Sequence, residues 1–219
     1  SSFYLLPQRE CREGSMRVRK IKAHFKKSDP VIFGVIDKMK ITPLELMEKP
    51  SGYFKKLCRE IISQQLAGKA ARAIVGRFNK LFDGGKINPE KVLSISEQTF
   101  RDVGMSWAKA RYVRDLALKV KEKEVRLSNL HDLENHLVIE ELVKVKGIGN
   151  WTAEMFLIFT LGREDVFSHG DLGLRKGLQK LYGFKDKPSE RQTNKIVEKW
   201  GPYKSYGCFA LWESVDSND

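Results

Sequence analysis

Cysteine is scarce in this chain: its 219 residues include three, Cys11, Cys58 and Cys208, spaced too widely for a disulfide framework or a zinc site. Reduced thiols, as in a cytosolic protein, are expected. Long apolar runs are missing as well. No stretch approaches the roughly 18 apolar residues of a membrane-spanning helix, so no membrane partner is expected. Residues 1–15 lack the apolar core of a signal peptide, because Phe3, Tyr4, Leu5 and Leu6 are not continued. Gly14, Ser15 and Met16 read like a cloning junction ahead of a native start, so residues 1–15 are expected to be a flexible or vector-derived leader. Its Arg9 and Arg12 cancel Glu10 and Glu13. Acidic residues are in deficit: 28 Asp and Glu face 40 Lys and Arg, a net charge of +12, with a pI near 9.6. Such an excess favours a polyanionic partner, although a generically basic soluble protein carries it too.

Strand-like alternation is also rare. Apolar residues instead recur at three- and four-residue spacing over Tyr53 to Gln64, Gly68 to Phe82 and Ala108 to Lys121. Pro43 is expected to open a short helix through Met47, since proline suits a first helical turn. Breaks at Pro50 to Gly52, Asp83 to Gly85, Asn88-Pro89, Gly162, Gly183 and Pro188 leave short connections between roughly ten helices. The pattern predicts an all-α protein without internal repeats. Its length suffices for one domain or for two small lobes sharing a core.

Between Glu140 to Val145, read as a helix end, and Trp151 to Leu161, read as the next helix, stands Gly147-Ile148-Gly149. Glycines there permit positive φ and close backbone approach. Their N–H groups, lying ahead of a helix N-terminus, can receive a phosphate oxygen without side-chain charge. The same residues also make an ordinary interhelical turn. Lys144 and Lys146 precede it and face solvent or an anion. Further on, Asp171 follows Phe167-Ser168-His169-Gly170 and precedes Leu172, Leu174, Leu178 and Leu181. That is the place of a helix N-cap, where a carboxylate satisfies free N–H groups.

Lys146 to Ala153, Val166-Phe167 and Asp171 to Lys176, together with Glu60 to Ala71 and Trp200 to Tyr206, occur in a telling order over about residues 17–212. In that order they resemble the helix-hairpin-helix DNA glycosylase superfamily. Trp151 and the W-x-P-aromatic-basic-Ser-Tyr segment point to its alkylpurine branch, the 3-methyladenine DNA glycosylase II type. The resemblance implies two helical lobes with the active site in the cleft between them. A middle lobe of about 52–168 would carry the hairpin, and a second would combine about 16–51 with 169–219.

The resemblance also implies roles. Cleavage of a C1′–N bond passes through an oxocarbenium-like state that needs nearby negative charge, and Asp171 is implied as that carboxylate and as a candidate general base for water, beside its capping role. The target base must leave the stack, and Gln65 or Leu66 is the implied wedge, unless it is a helix-end core contact. Trp151 stands where bifunctional relatives carry a Schiff-base lysine, which implies a hydrolase without lyase activity. Trp151 and Tyr203, with Trp107 as a further candidate, would stack on a cationic alkylated purine. Core packing is the alternative for each. Gly147, Gly149 and Lys146 are implied phosphate contacts. The carbonyls of Val143, Val145 and Ile148 would hold a structural Na+ or K+. No other cofactor is expected, and three cysteines cannot form the four-cysteine iron–sulfur cluster of some relatives. Lys109, Arg111 and Arg114 form either a solvated helix face or a contact to the DNA backbone.

The expected activity is excision of alkylated purines, 3-methyladenine and 7-methylguanine, from double-stranded DNA by a monomer in base excision repair. The alternatives are a non-catalytic helix-hairpin-helix DNA-binding module and a glycosylase for another lesion, such as uracil or an oxidised purine. Such a protein is expected in the cytoplasm with the nucleoid if prokaryotic and in the nucleus if eukaryotic.

Overall fold

The computed structural model describes residues 16–216, and among these it contains twelve α-helices and three short 3-10 turns but no strand. The leader expected over 1–15, and Cys11 with it, lies outside the described residues. The described chain divides into two units, 16–46 with 162–216 and 47–161.

The first unit begins with α1 (Met16–Ser28) and α2 (Pro30–Ile36). Val18, Ile21 and Phe25 recur at three- and four-residue spacing on α1 and are buried. Asp29 caps α2, its Oδ1 accepting from the N–H groups of Val31 and Ile32, with Pro30 in the first turn. Its Oδ2 accepts from the Tyr182 hydroxyl at 2.7 Å and the Trp200 indole at 2.8 Å. Burial and then this carboxylate hold the Tyr182 phenol well above its ordinary pKa. Four donors thus make a buried carboxylate tolerable and tie α2 to the two C-terminal segments.

The chain then enters the other unit, with α3 (Tyr53–Ser63), α4 (Gly68–Asn79), α5 (Pro89–Ser94), α6 (Glu97–Asp102), α7 (Trp107–Lys121), α8 (Asn135–Leu142) and α9 (Asn150–Phe159). Asn88, Ser96 and Ser106 cap α5, α6 and α7 through their side chains. The long α7 packs against α3, α5 and α6, and α8 packs against α9. Tyr53, Leu57 and Ile61 of α3, Val113 and Leu116 of α7 and Phe156 of α9 are buried in this core. Full burial of each such side chain contributes about 1.5–3 kcal/mol. Tyr53 meets Phe156 edge-on at 5.5 Å, and Phe78 stands between Phe82 and Phe100.

Returning to the first unit, the chain forms α10 (Leu172–Tyr182), α11 (Glu190–Val197) and α12 (Lys204–Asp216). α12 packs against α10 and α2. A capping box of Ser189 and Gln192 starts α11.

One expectation is corrected here. Pro43 to Met47 forms no helix. The N–H of Leu44 goes to the Tyr206 hydroxyl at 2.8 Å and that of Met47 to the Thr160 carbonyl at 3.0 Å, so tertiary acceptors replace the carbonyls four residues back. The two units meet at 46/47 and at 161/162. Ser205 draws the Arg163 to Val166 loop to α12: its hydroxyl donates to the Arg163 carbonyl at 2.7 Å and accepts the Val166 N–H at 3.1 Å. Among the described residues, no helix is long and apolar enough to cross a membrane.

Candidate active site

Asp171 is the N-cap of α10, in extended backbone, and is 8 % exposed. Its Oδ1 accepts the Leu174 N–H at 2.8 Å and the Trp212 indole N–H at 3.1 Å. The capping expected from sequence is therefore present, with a second donor from α12. Gly173 makes room for that donor: a Cβ at this position would lie 2.9 Å from Trp212 Cδ1 and 3.1 Å from Asp171 Oδ1. Trp212 escaped the sequence reading because it stands 41 residues after Asp171, on another helix.

The loop leading to Asp171 is clamped by the first turn of α12. Besides Ser205, the Lys204 backbone N–H and ammonium reach the two Asp165 carboxylate oxygens, each at 3.3 Å. The Cys208 thiol donates to the Val166 carbonyl. Tyr206 donates to Glu164 Oε1 at 2.6 Å, and Arg17 pairs with Glu164 at 3.0 Å. Burial and then the Glu164 carboxylate raise the Tyr206 phenol well above its ordinary pKa, so the bridge stays protonated. The Trp200 to Tyr206 segment therefore has a structural role, since Lys204, Ser205 and Tyr206 hold the loop that leads to Asp171.

In the other unit, α8 ends at Leu142 rather than Val145, and the turn to α9 runs through Gly147 and Gly149. Gly147 has φ +85°, and a Cβ there would lie 2.2 Å from Tyr112 Cδ2, so glycine is required twice over. Around Gly149 the space that a Cβ would occupy is open. Among the described residues, the N–H groups of Gly147 and Gly149 have no intramolecular acceptor. Lys146 is exposed, and its N–H donates to Asp115 Oδ2 at 2.8 Å. Lys144 is also exposed but pairs with Glu141. Val145 O accepts the Ile148 N–H at 3.1 Å, while no backbone N–H among the described residues is bonded to Val143 O or Ile148 O. Neutral oxygens with spare lone pairs fit a hard monovalent cation.

After α3 the chain makes a tight turn. Gln64 has φ −50° and ψ 135°, Gln65 has φ +56°, and the Leu66 N–H returns to the Ser63 carbonyl at 3.2 Å. This is a type II turn with glutamine at the position that favours glycine. A non-glycine residue held there costs about 1–3 kcal/mol, a strain associated with functional sites. Gln65 is exposed and Leu66 half-buried. The Gln64 amide donates to the Gly147 carbonyl at 2.9 Å and to Thr152 Oγ1 at 3.2 Å, so the turn and the hairpin are joined directly. Two of the three basic residues at the start of α7 are neither a solvated face nor open to DNA. Lys109 donates to the carbonyls of Ile62 and Gln64, and Arg114 to those of Leu93 and Ile95.

The expected pocket residues are divided between the units. Trp151, 38 % exposed in the first turn of α9, and Trp107, 44 % exposed, belong to 47–161. One face of Trp107 is covered by the Arg101 guanidinium, 5.3 Å from the ring centroid. Tyr203 lies in the same unit as Asp171, half-buried and edge-on to His24 at 5.3 Å. Cys58 is no candidate nucleophile: complete burial pushes its thiol well above the usual range.

Comparison with known proteins places these elements in a family. Residues 58–203, which hold the turn, the hairpin and Asp171, match the HhH-GPD superfamily of base excision DNA repair proteins. DNA-3-methyladenine glycosylase 1 of Schizosaccharomyces pombe is 34 % identical over 180 residues, covering 78 % of this chain and 76 % of its own length. The crystal structure of a DNA-3-methyladenine glycosidase from Bacillus halodurans superposes with a TM-score of 0.78 at 35 % identity, covering 93 % of this chain and 91 % of that one. A 3-methyladenine DNA glycosylase of Schizosaccharomyces pombe, solved in complex with abasic DNA, gives 0.70 at 28 % identity, covering 89 % and 95 %. The helical architecture, the matched segment and these likenesses over most of the chain agree, and the chain belongs to the HhH-GPD superfamily of base excision DNA repair proteins.

Proposed function

We propose that the protein is a monofunctional DNA glycosylase that hydrolyses the N-glycosidic bond of alkylated purines, 3-methyladenine and 7-methylguanine, in double-stranded DNA. The observation that carries this reading is Asp171, a buried carboxylate held by two donors on one oxygen and lying within the family's matched segment. The names of the relatives support the substrate class.

Alkylation at N3 or N7 gives the purine a positive charge. As the C1′–N bond breaks, its electron pair passes to the purine and neutralises that charge, while C1′ becomes cationic. Asp171 stabilises this cation, water adds to C1′, and the water proton passes to the carboxylate. An abasic site and free base result. With tryptophan at position 151 no Schiff base forms, and the strand stays intact.

Before chemistry, the hairpin N–H groups of Gly147 and Gly149, with the Lys146 ammonium, hold a phosphate. A monovalent cation on the carbonyls of Val143, Val145 and Ile148 would add positive charge there. Gln65 or Leu66 fills the gap left by the extruded base. Trp151 and Tyr203, with Trp107 as the third candidate, supply aromatic faces to the cationic purine. The protein acts as a monomer, in the nucleoid or the nucleus.

The test is to incubate the protein with duplexes carrying 3-methyladenine, 7-methylguanine, hypoxanthine, uracil or 8-oxoguanine and to measure the released base. Release of the two alkylpurines, with strand cleavage only after alkali, is expected. Binding without release would leave a non-catalytic module, preferred release of uracil or 8-oxoguanine would reassign the lesion, and efficient borohydride trapping would show a lyase.

A further inference from the structure

One face of α7 addresses both DNA-directed loops of its unit. Lys109, Tyr112, Asp115 and Lys119 follow at three- and four-residue spacing and so share a stripe. Lys109 Nζ donates to the Ile62 carbonyl at 2.9 Å and the Gln64 carbonyl at 2.5 Å, at the end of α3 and inside the type II turn. Tyr112 fills the space beside Gly147, Asp115 accepts the Lys146 N–H, and Lys119 donates to the Lys144 carbonyl. The Gln64 amide completes the frame by reaching Gly147 O and Thr152 Oγ1. Turn and hairpin are thereby held at one spacing.

Types I and II of a β-turn differ by a flip of the central peptide, and only type II puts its third residue at positive φ. Gln65, without the freedom of glycine, would be relieved of strain by that flip. The flip would also turn the Gln65 N–H, in place of the Gln64 carbonyl, toward the Lys109 ammonium. Donor would then face donor. Burial lowers the pKa of this ammonium, and the two carbonyls compensate its lost hydration.

We propose that Lys109 is a positioning residue for base extrusion: it fixes the Gln64–Gln65 peptide in the type II orientation and so presents Gln65 and Leu66 in register with the phosphate-binding hairpin. This rests on the reading of the turn as wedge and of the hairpin as phosphate site. It gives a half-buried lysine, distant from Asp171 in the sequence, a role in extruding the base and none in cleaving the bond.

The test compares wild type with Lys109→Met, which keeps length and loses the donor, and Lys109→Arg, which keeps it. One probe is a duplex with 2-aminopurine beside a tetrahydrofuran abasic analogue, where wedge insertion raises fluorescence. The other is single-turnover release of 7-methylguanine from a paired and from a bulged site. Lys109→Met is expected to lose most of the fluorescence rise while still binding the duplex, and to slow release from the paired site by roughly tenfold or more. Release from the bulge, where extrusion is cheap, is expected to be nearly unchanged. Lys109→Arg is expected to restore both readouts. Equal slowing at the two sites, or an undiminished fluorescence rise, would overturn the proposal, as would a wild type that does not unstack the probe. Unstacking by wild type without any base release would instead sink the glycosylase reading and leave this one standing. If Lys109→Met fails to melt cooperatively, Lys109→Gln, a shorter neutral donor, is expected to give intermediate fluorescence, and a full wild-type rise would count against the assignment.

Discussion

A carboxylate that stabilises a cationic sugar must stay fixed while the charge beside it changes. Asp171 is fixed by the Leu174 N–H and the Trp212 indole, and the indole reaches it because residue 173 has no side chain. Trp212→Phe keeps an aromatic ring and removes one hydrogen bond to a charged group, about 1.5–3 kcal/mol. Excision is expected to slow by roughly ten- to a hundredfold at that magnitude, with duplex affinity retained; single-turnover and equilibrium binding measurements check the two halves. Gly173→Ala is expected to displace the indole and to cost about 1–3 kcal/mol by overpacking, read as a lower melting temperature together with slower release. For Trp151→Ala, release of 7-methylguanine is expected to suffer more than binding to an abasic site, since the cation–π contribution of about 0.5–2 kcal/mol requires a base in the pocket. Equal losses on both ligands would make Trp151 a packing residue. At this scale Asp171 was legible as a cap from the leucines that follow it. Trp212 was not, because a tertiary hydrogen bond leaves no periodic trace in sequence.

Among the elements, the hairpin and the type II turn are short, and both are held by α7. Gly147→Ala would force a side chain into φ +85° and against Tyr112. A cost of about 1–3 kcal/mol is expected from overpacking alone, with weaker binding to undamaged duplex. An unchanged melting curve and dissociation constant would show that the hairpin tolerates the methyl group and that its shape matters less than argued. The long helices were readable from their three- and four-residue spacing, and the hairpin from its glycines. Pro43 to Met47 misled because its N–H groups find acceptors remote in sequence, Tyr206 and Thr160. Lys109 and Arg114 misled for a related reason: a long basic side chain has the same sequence signature whether its head meets water or a carbonyl.

The whole molecule carries a net charge of +12, which acts at longer range than any single contact. Affinity for undamaged duplex is expected to fall with salt at a slope of about −0.9 per phosphate neutralised on a double-logarithmic plot. A dissociation constant independent of ionic strength would contradict binding through the DNA backbone. Charge, helical class and the family landmarks were all visible in the chain itself, whereas the hold of Ser205 on the Arg163 to Val166 loop, remote from it in sequence, was not. The central claim, that this fold uses Asp171 to release alkylated purines, is tested most directly by single-turnover release of 7-methylguanine from duplex DNA by wild type and Asp171→Asn. The amide keeps the shape and an oxygen for the Leu174 N–H, so folding and duplex affinity are expected to hold while release falls by at least about a hundredfold, the scale of a lost electrostatic stabiliser. Release by a folded Asp171→Asn protein at near the wild-type rate would contradict the account.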